Sequence, residues 1–536
     1  MAAVFVSAFA GVLVADRDWR TRGLGAAAVD AVCCLAVVGL SFGYFLWLAS
    51  PSLLPITNGP DVVHHLMLID LIQRTHHLPH DPALLPYLVE MSGYTPGSHI
   101  LTATAASLLR LDAVRVVHAV AAAFAALGLG IIYLIALRLL PARPWSRLLA
   151  FAAPLLALVA SVYTLGAFFD FFFLSQIVSE TFALAMLLAV IDWARGGRDA
   201  LVRFAACGVA VLFTWPVWIG PPIVALVVAA MFLKRSRDAW RHGAYAVLPL
   251  VAAAAVHAAV HPGAGGILAS AGAVTKPSIA GFGIGLLLSA AAGAVVCCRR
   301  TAASLVIVFL VAVAAQAFSL ALLARIEGSR SLYMAFKMAF LAVPPLAVLG
   351  CAGLGFVAEW IAVRVPYVGG AARAAALIGV CLMLGGRLPM KRQHGSITEP
   401  ALQAGEWARG HLPTACIDYF SSYWLTGYWL HLDVLGNPRL SDRMRAESFE
   451  FRDAAGKWIE GRGLPYAFVE DFDAIPRDAR VDMAIVQRFG RAALVRNLRP
   501  ATCTDSSPSL WQLTRGQTRT PQTPQSQSRG QTPRRP

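Results

Sequence analysis

Apolar runs of about 18 to 25 residues recur from the N-terminus of this chain to about residue 386. Each is long enough to cross a hydrocarbon core of roughly 30 Å as a helix. The pattern predicts twelve spans, within a range of about 11 to 13: 1–15, 26–49, 113–137, 148–165, 177–193, 200–215, 217–233, 244–261, 280–297, 303–324, 332–357 and 371–386. Residues 200–233 read as two short helices turning at Trp215-Pro216, because both flanks are basic. The first run lacks a basic start and is followed by charged DRDWRTR, so it reads as a short span rather than a signal peptide.

The pattern breaks twice. Between the second and third spans, residues 51–112 form a long connection holding a polar island, Asn58 to His99. Six of the chain's 13 histidines fall there, beside Asp61, Asp70, Asp81 and Glu90. After residue 386 the pattern changes to short alternating runs (CIDYF, YAFVEDF, DMAIVQRF) with turn signals between them, which predicts a small α+β domain over 387–512. The end, 513–536, is Gln/Thr/Pro/Arg low complexity and is expected to be disordered. The expected organisation is a transmembrane helical module over 1–386, the α+β domain and a basic tail.

Composition excludes a soluble globule: 57% of residues are hydrophobic, 14% are charged, and mean hydropathy is +0.62. The net charge of +15 informs through its placement. Connections carrying Arg17/Arg20/Arg22, Arg138/Arg143/Arg147, Arg195/Arg198/Arg203, Lys234/Arg235/Arg237/Arg241, Arg299/Arg300 and Arg364/Arg373 alternate with connections nearly free of them. The positive-inside rule sends the basic set to the cytoplasm. The island and the 387–512 domain then face outward. Charges dispersed at membrane edges are not the footprint of nucleic-acid binding. Cys416 and Cys503 are the only cysteines of the exported part. An oxidising compartment would permit them to pair, and spacing leaves that open.

Titratable groups at a membrane boundary are costly to hold and mark candidate sites. Asp61 follows the turn Asn58-Gly59-Pro60 and opens the helical run VVHHLMLIDLI, where it shares a face with His64 and His65. It reads equally as a helix cap and as a general base beside imidazoles. Tyr94-Thr-Pro96-Gly97-Ser-His99 makes a turn and starts a short helix along the interface. Two further outward clusters stand out. One places Asp170 among phenylalanines with Glu180 just inside the next span; the other aligns Arg330, Tyr333 and Lys337 one turn apart. A phosphate suits the second cluster. Asp61/His65 and His76/His80 have the spacing of a metal pair, but Pro79 interrupts the second and no metal signature appears. No cofactor is assigned: a divalent metal is allowed, but no motif supports it.

With Asp61, the Tyr-x-Pro-Gly-x-His stretch, the late Tyr333-x-x-x-Lys337 and an exported domain beginning near AGEWARGHLPTACIDYF, residues 26–510 resemble the GT-C superfamily of polytopic glycosyltransferases. The resemblance implies a bacterial inner-membrane enzyme, multi-pass, with its site and C-terminal domain on the outer, periplasmic face. It would take a sugar from a polyprenyl-phosphate donor and pass it, with inversion, to an envelope glycan, lipid or protein. Asp61 would be the general base. Lys337, Arg330, Tyr333, His64 and His65 would hold the donor phosphate, and Asp170, Glu180, His99 and Tyr94 would contact substrate. The lone Asp61 followed by valines departs from the paired acids of several branches and leaves the sugar, hexose or pentose, undetermined. Two other classes fit a many-span chain: a transporter or flippase of an envelope precursor, and a non-catalytic scaffold. In the scaffold, Trp407, Tyr419, Tyr423, Trp424, Tyr428 and Trp429 would stack on glycan, although aromatic side chains more commonly pack in a core.

Overall fold

The computed structural model describes residues 24–50, 53–54, 60–79, 81–141, 144–197, 199–234, 236–260, 272, 274–299, 302–328, 331–365, 369–384, 388, 397–439, 451–504 and 507–514. The expected first span 1–15, His80, Arg330 and residues 515–536 of the expected tail lie outside the described residues. The chain divides into two compact units, one of 1–73 with 90–399 and one of 74–89 with 400–536.

The first unit is helical. Its main helices are α1 (Leu24–Ala49), α2 (Asp61–Thr75, entering the second unit at Arg74), α3 (Gly97–Leu109), α4 (Ala113–Leu139), α5 (Ala152–Val159), α6 (Ser161–Leu165), α7 (Leu174–Ala194), α8 (Ala200–Thr214), α9 (Gly220–Val228), α10 (Arg237–Val260), α11 (Ile284–Cys297), α12 (Ser304–Ile326), α13 (Tyr333–Arg364) and α14 (Gly369–Leu384). Among the described residues, seven helices are long and apolar enough to cross a membrane, within α1, α4, α7, Pro216–Lys234, α10, α12 and α13. The protein is a polytopic helical membrane protein with a small C-terminal sheet. Shorter apolar helices occupy the expected spans 200–215, 280–297 and 371–386.

The expected single span 148–165 is instead broken, Trp145–Val159 and Ser161–Asp170 meeting at 71°. Ala160 leaves helical geometry at ψ 47°, and the hydroxyl of Thr164 donates to the carbonyl of Ala157 at 2.8 Å. That bond meets an acceptor which the break would otherwise strand in an apolar setting. The span over 280–297 starts late because Gly283, at φ 87°, separates a single turn, Ile279–Phe282, from α11.

Three arginines are paired with acids at one end of this unit. Asp192, in the last turn of α7, takes Arg138 of α4 at 3.0 Å and Arg203 of α8 at 3.2 Å. Asp30 takes Arg147 at 2.5 Å. Three arginines of the basic set are therefore neutralised where they leave the bundle. The helix that carries Lys337 is fixed by close backbone packing. A Cβ on Gly293 of α11 would stand 1.8 Å from the carbonyl oxygen of Leu349, and one on Gly353 of α13 would stand 2.2 Å from that of Ser289. Only glycines permit that approach.

The second unit is built on a mixed four-stranded sheet, ordered β1-β2-β4-β3. After α15 (Glu399–His411) come β1 (Ile417–Phe420), α16 (Trp424–Trp429), α17 (Phe451–Ile459), β2 (Tyr466–Val469), β3 (Met483–Phe489), β4 (Ala492–Asn497) and α18 (Leu510–Thr514). β1 and β2 are parallel, and β4 is antiparallel to both β2 and β3. The parallel pair needs a crossover, and α17 lies within it. Phe420, Trp458, Val469, Ile475 and Val495 pack together as its core. The buried carboxylate of Asp418 accepts from the Trp458 indole at 2.9 Å and from the Leu464 amide at 2.7 Å. Cys416 and Cys503 form a disulfide across 87 positions of sequence.

Candidate active site

Asp61 is the first residue of α2. The cap position belongs to Pro60, whose carbonyl accepts from Val63 at 2.9 Å and His64 at 3.3 Å. The Asp61 carboxylate thus stands in the first turn, at the positive end of the helix. One turn on, His65 Nδ1 lies 2.8 Å from Nε2 of His99. Tyr94 sets its ring edge-on to both imidazoles, with centroids 5.6 and 5.5 Å away.

The Tyr94–His99 stretch is held rigidly to neighbouring helices. The Thr95 hydroxyl donates to the Thr214 carbonyl at 2.6 Å, and the Ser98 and Ser175 hydroxyls lie 2.7 Å apart. Gly97 is required by close approach, since a Cβ there would stand 2.4 Å from the Phe213 carbonyl oxygen.

Lys337 enters from the second turn of α13 and is 4% exposed. Its ammonium lies over three ring faces: Phe173 at 4.1 Å, Tyr333 at 4.2 Å and Trp215 at 4.9 Å. Cation–π attraction compensates part of the hydration lost on burial. Rings accept no ordinary hydrogen bonds, however, and the three N–H donors have no hydrogen-bond or ion-pair partner among the described residues. The charge of Asp61 acts on Lys337, Tyr333 and Tyr94 alike. Asp61 is thus within electrostatic range of an ammonium and two phenols.

Burial holds the His65 imidazole well below its ordinary value, with the charges of His99, His64 and Lys337 adding to the effect. Burial likewise lowers His99 to about 3. Both rings are neutral near pH 7, and one donates to the other. Burial, and next the Asp61 charge, pushes the Tyr94 phenol up, so that it keeps its proton. His64 turns to Glu90, with Nδ1 3.2 Å from Oε1.

Asp170 ends a π-helical turn, Gly166–Asp170, and Glu180 sits in the second turn of α7. Neither carboxylate has a hydrogen bond or ion pair among the described residues. The Asp170 cluster reaches the site through Phe173. Three participants escaped the sequence reading. Trp215 was visible as a turn residue, Phe173 as part of a phenylalanine run, and Ser175 carried no signal. Among the described residues no group of three or more His, Cys, Asp or Glu is placed to hold a metal ion. Of the C-terminal aromatics, Trp429 is fully buried and donates to Asp433 at 3.0 Å, Tyr419 bonds His431 at 3.0 Å, and Trp407 stacks on His411.

No family model matches the chain, and no curated protein matches it. Solved structures do. The apo crystal structure of ArnT from Cupriavidus metallidurans is 16% identical, covering 89% of this chain and 100% of its own, with a TM-score of 0.49. The same protein bound to undecaprenyl phosphate gives 15% identity, coverage of 88% and 99%, and a TM-score of 0.49. The oligosaccharyltransferase AglB of Archaeoglobus fulgidus, in complex with an inhibitory peptide and a dolichol-phosphate, is 12% identical over 81% of this chain and 69% of its own, with a TM-score of 0.49.

Proposed function

We propose that this protein is a membrane glycosyltransferase that moves a sugar from a polyprenyl-phosphate donor to an acceptor hydroxyl or amide on the outer face of a bacterial inner membrane. The observation that carries the reading is the Lys337 ammonium, buried against three rings and, among the described residues, without an acceptor for its protons. Such a cation is prepared for an anion, and a lipid phosphate is one that reaches a membrane-embedded chamber.

In the proposed reaction Asp61 takes the proton of the acceptor. The acceptor atom bonds to the anomeric carbon as the bond from that carbon to the phosphate oxygen breaks. The electron pair leaves on the phosphate, whose growing charge Lys337 offsets. Attack opposite the leaving group inverts the anomeric centre. Tyr94 keeps its proton, and the Tyr94 and Tyr333 hydroxyls can donate to phosphate or sugar oxygens. The His65–His99 pair, neutral and hydrogen-bonded, acts as a scaffold that fixes α2 against α3. His64, engaged by Glu90, orients the same helix. Arg330, which lies outside the described residues, would add a second positive charge for the phosphate.

Two facts support the outward orientation. The chamber sits at the start of α7, and the arginine-bound Asp192 sits near its end, about 25 Å away at 1.5 Å per residue. The Cys416–Cys503 disulfide suits an oxidising compartment. The test is turnover: purified protein in lipid nanodiscs is given polyprenyl-phosphate hexose or pentose donors, and released polyprenyl phosphate is measured. Release that depends on Lys337 supports the reading. Absence of both release and binding across the donor series rejects it.

A further inference from the structure

Gln176 of α7 is 2% exposed, and neither its carboxamide oxygen nor its nitrogen has a hydrogen-bond partner among the described residues. Trp215 is equally buried at 2%, and its indole nitrogen is also without one. Both lie beside the ring cage of Lys337. Phe173, three residues before Gln176, covers the ammonium at 4.1 Å. Ser179, three residues after it, donates to the Trp215 carbonyl at 3.3 Å. Gln176 and Ser179, three residues apart, are neighbours on α7, and Phe173 is the residue that immediately precedes its first turn. Trp215 itself covers Lys337 at 4.9 Å. An unsatisfied amide and an unsatisfied N–H at one place are costly in an apolar surround, and buried polar groups of this kind call for an explanation.

We infer that Gln176 and the Trp215 indole form the subsite for the transferred sugar, taking its ring hydroxyls while Lys337 holds the phosphate. A carboxamide presents a donor and an acceptor side by side, the pattern that matches a hydroxyl pair. The indole adds a second donor and an apolar face for the sugar ring. The inference rests on the proposed donor class and deepens it: the site distinguishes a glycosylated lipid phosphate from the bare one through Gln176.

The experiment compares binding of two probes to the full-length protein in nanodiscs: a polyprenyl phosphate, and the same lipid carrying a hexose or pentose. Gln176→Leu should weaken the glycosylated probe at least tenfold and leave the bare lipid phosphate within twofold. Its melting temperature should be unchanged or higher, because the substitution removes unsatisfied polar atoms. Lys337→Met should weaken both probes. Trp215→Phe, which keeps a ring under Lys337 and deletes the N–H, should repeat the selective loss in smaller measure. Equal losses for the two probes in Gln176→Leu, or no loss for either, would overturn the subsite while leaving the donor class standing. A wild-type protein that binds neither probe would overturn both.

Discussion

His65 Nδ1 and His99 Nε2 lie 2.8 Å apart in a buried pair. One ring must donate and the other accept, so protonating both would break the contact between α2 and α3. Burial lowers both, His99 to about 3 from an ordinary 6.5. Below pH 6.5 the unfolded chain therefore takes up protons that the folded chain refuses. The stability these neutral rings confer is complete above 6.5 and is lost as pH falls toward 3, by up to about 1.4 kcal/mol per pH unit for each histidine. Thermal unfolding in nanodiscs should show a falling midpoint from pH 7 to pH 5. Replacing the pair with His65→Asn and His99→Phe should flatten that slope; an equal slope in the double variant would contradict the assignment.

The cage around Lys337 makes a second prediction. Lys337→Met removes the charge that would meet the leaving phosphate and should lower transfer by about 10²- to 10³-fold. Lys337→Arg should recover little of it, because a planar guanidinium is not shaped for a pocket that seats a compact ammonium between three rings. Initial rates at saturating donor check both. Arginine at near wild-type rate would show that the cage is not specific.

The close crossing of α11 and α13 sets where Lys337 stands. Gly293→Ala would drive a methyl into the Leu349 carbonyl at 1.8 Å. Such overpacking should destabilise the protein by about 1–3 kcal/mol and lower activity together with stability. Gly379→Ala, where nothing stands within 4 Å of an added Cβ, should leave melting unchanged and serves as the control.

Reduction offers a test in the second unit. The Cys416–Cys503 bridge closes a segment of 87 positions, and its loss should destabilise that unit by about 2–4 kcal/mol. The Cys416→Ser/Cys503→Ser variant should expose cleavage sites in 400–514 during limited proteolysis at temperatures the native protein withstands. Identical proteolysis profiles would show that the bridge contributes nothing.

The helical module was legible because membrane burial writes long apolar runs. Eleven of the twelve expected spans coincide with apolar helices, one of them broken, and the twelfth lies outside the described residues. The break at Ala160 was hidden because it is closed by a single Thr164 hydroxyl bond that leaves hydropathy unchanged. In the C-terminal part the runs CIDYF, YAFVEDF and DMAIVQRF mark β1, β2 and β3. β4 was missed: ALV within it is short and flanked by Arg491 and Arg496, so it shows no alternation over enough residues to register.

At the site, acids, histidines and the lysine announced themselves by their cost in a membrane. Phe173, Trp215 and Gln176 did not, since aromatic and amide groups near helix ends are ordinary in sequence. Their role comes from tertiary placement: a break after Asp170, a turn at Trp215-Pro216, and α13 arriving from more than a hundred residues away. His65, read with Asp61 as one spacing of a metal pair, lies 2.8 Å from His99.

In the proposed reaction Asp61 takes the acceptor's proton while Lys337 holds the leaving phosphate. Asp61→Asn keeps the size of the side chain and its place in the first turn of α2 while removing the base. With purified variant in nanodiscs, donor binding should stay within a fewfold of wild type, and glycosyl transfer at saturating donor and acceptor should fall by about 10²- to 10⁴-fold. Transfer by Asp61→Asn at the wild-type rate would contradict the account.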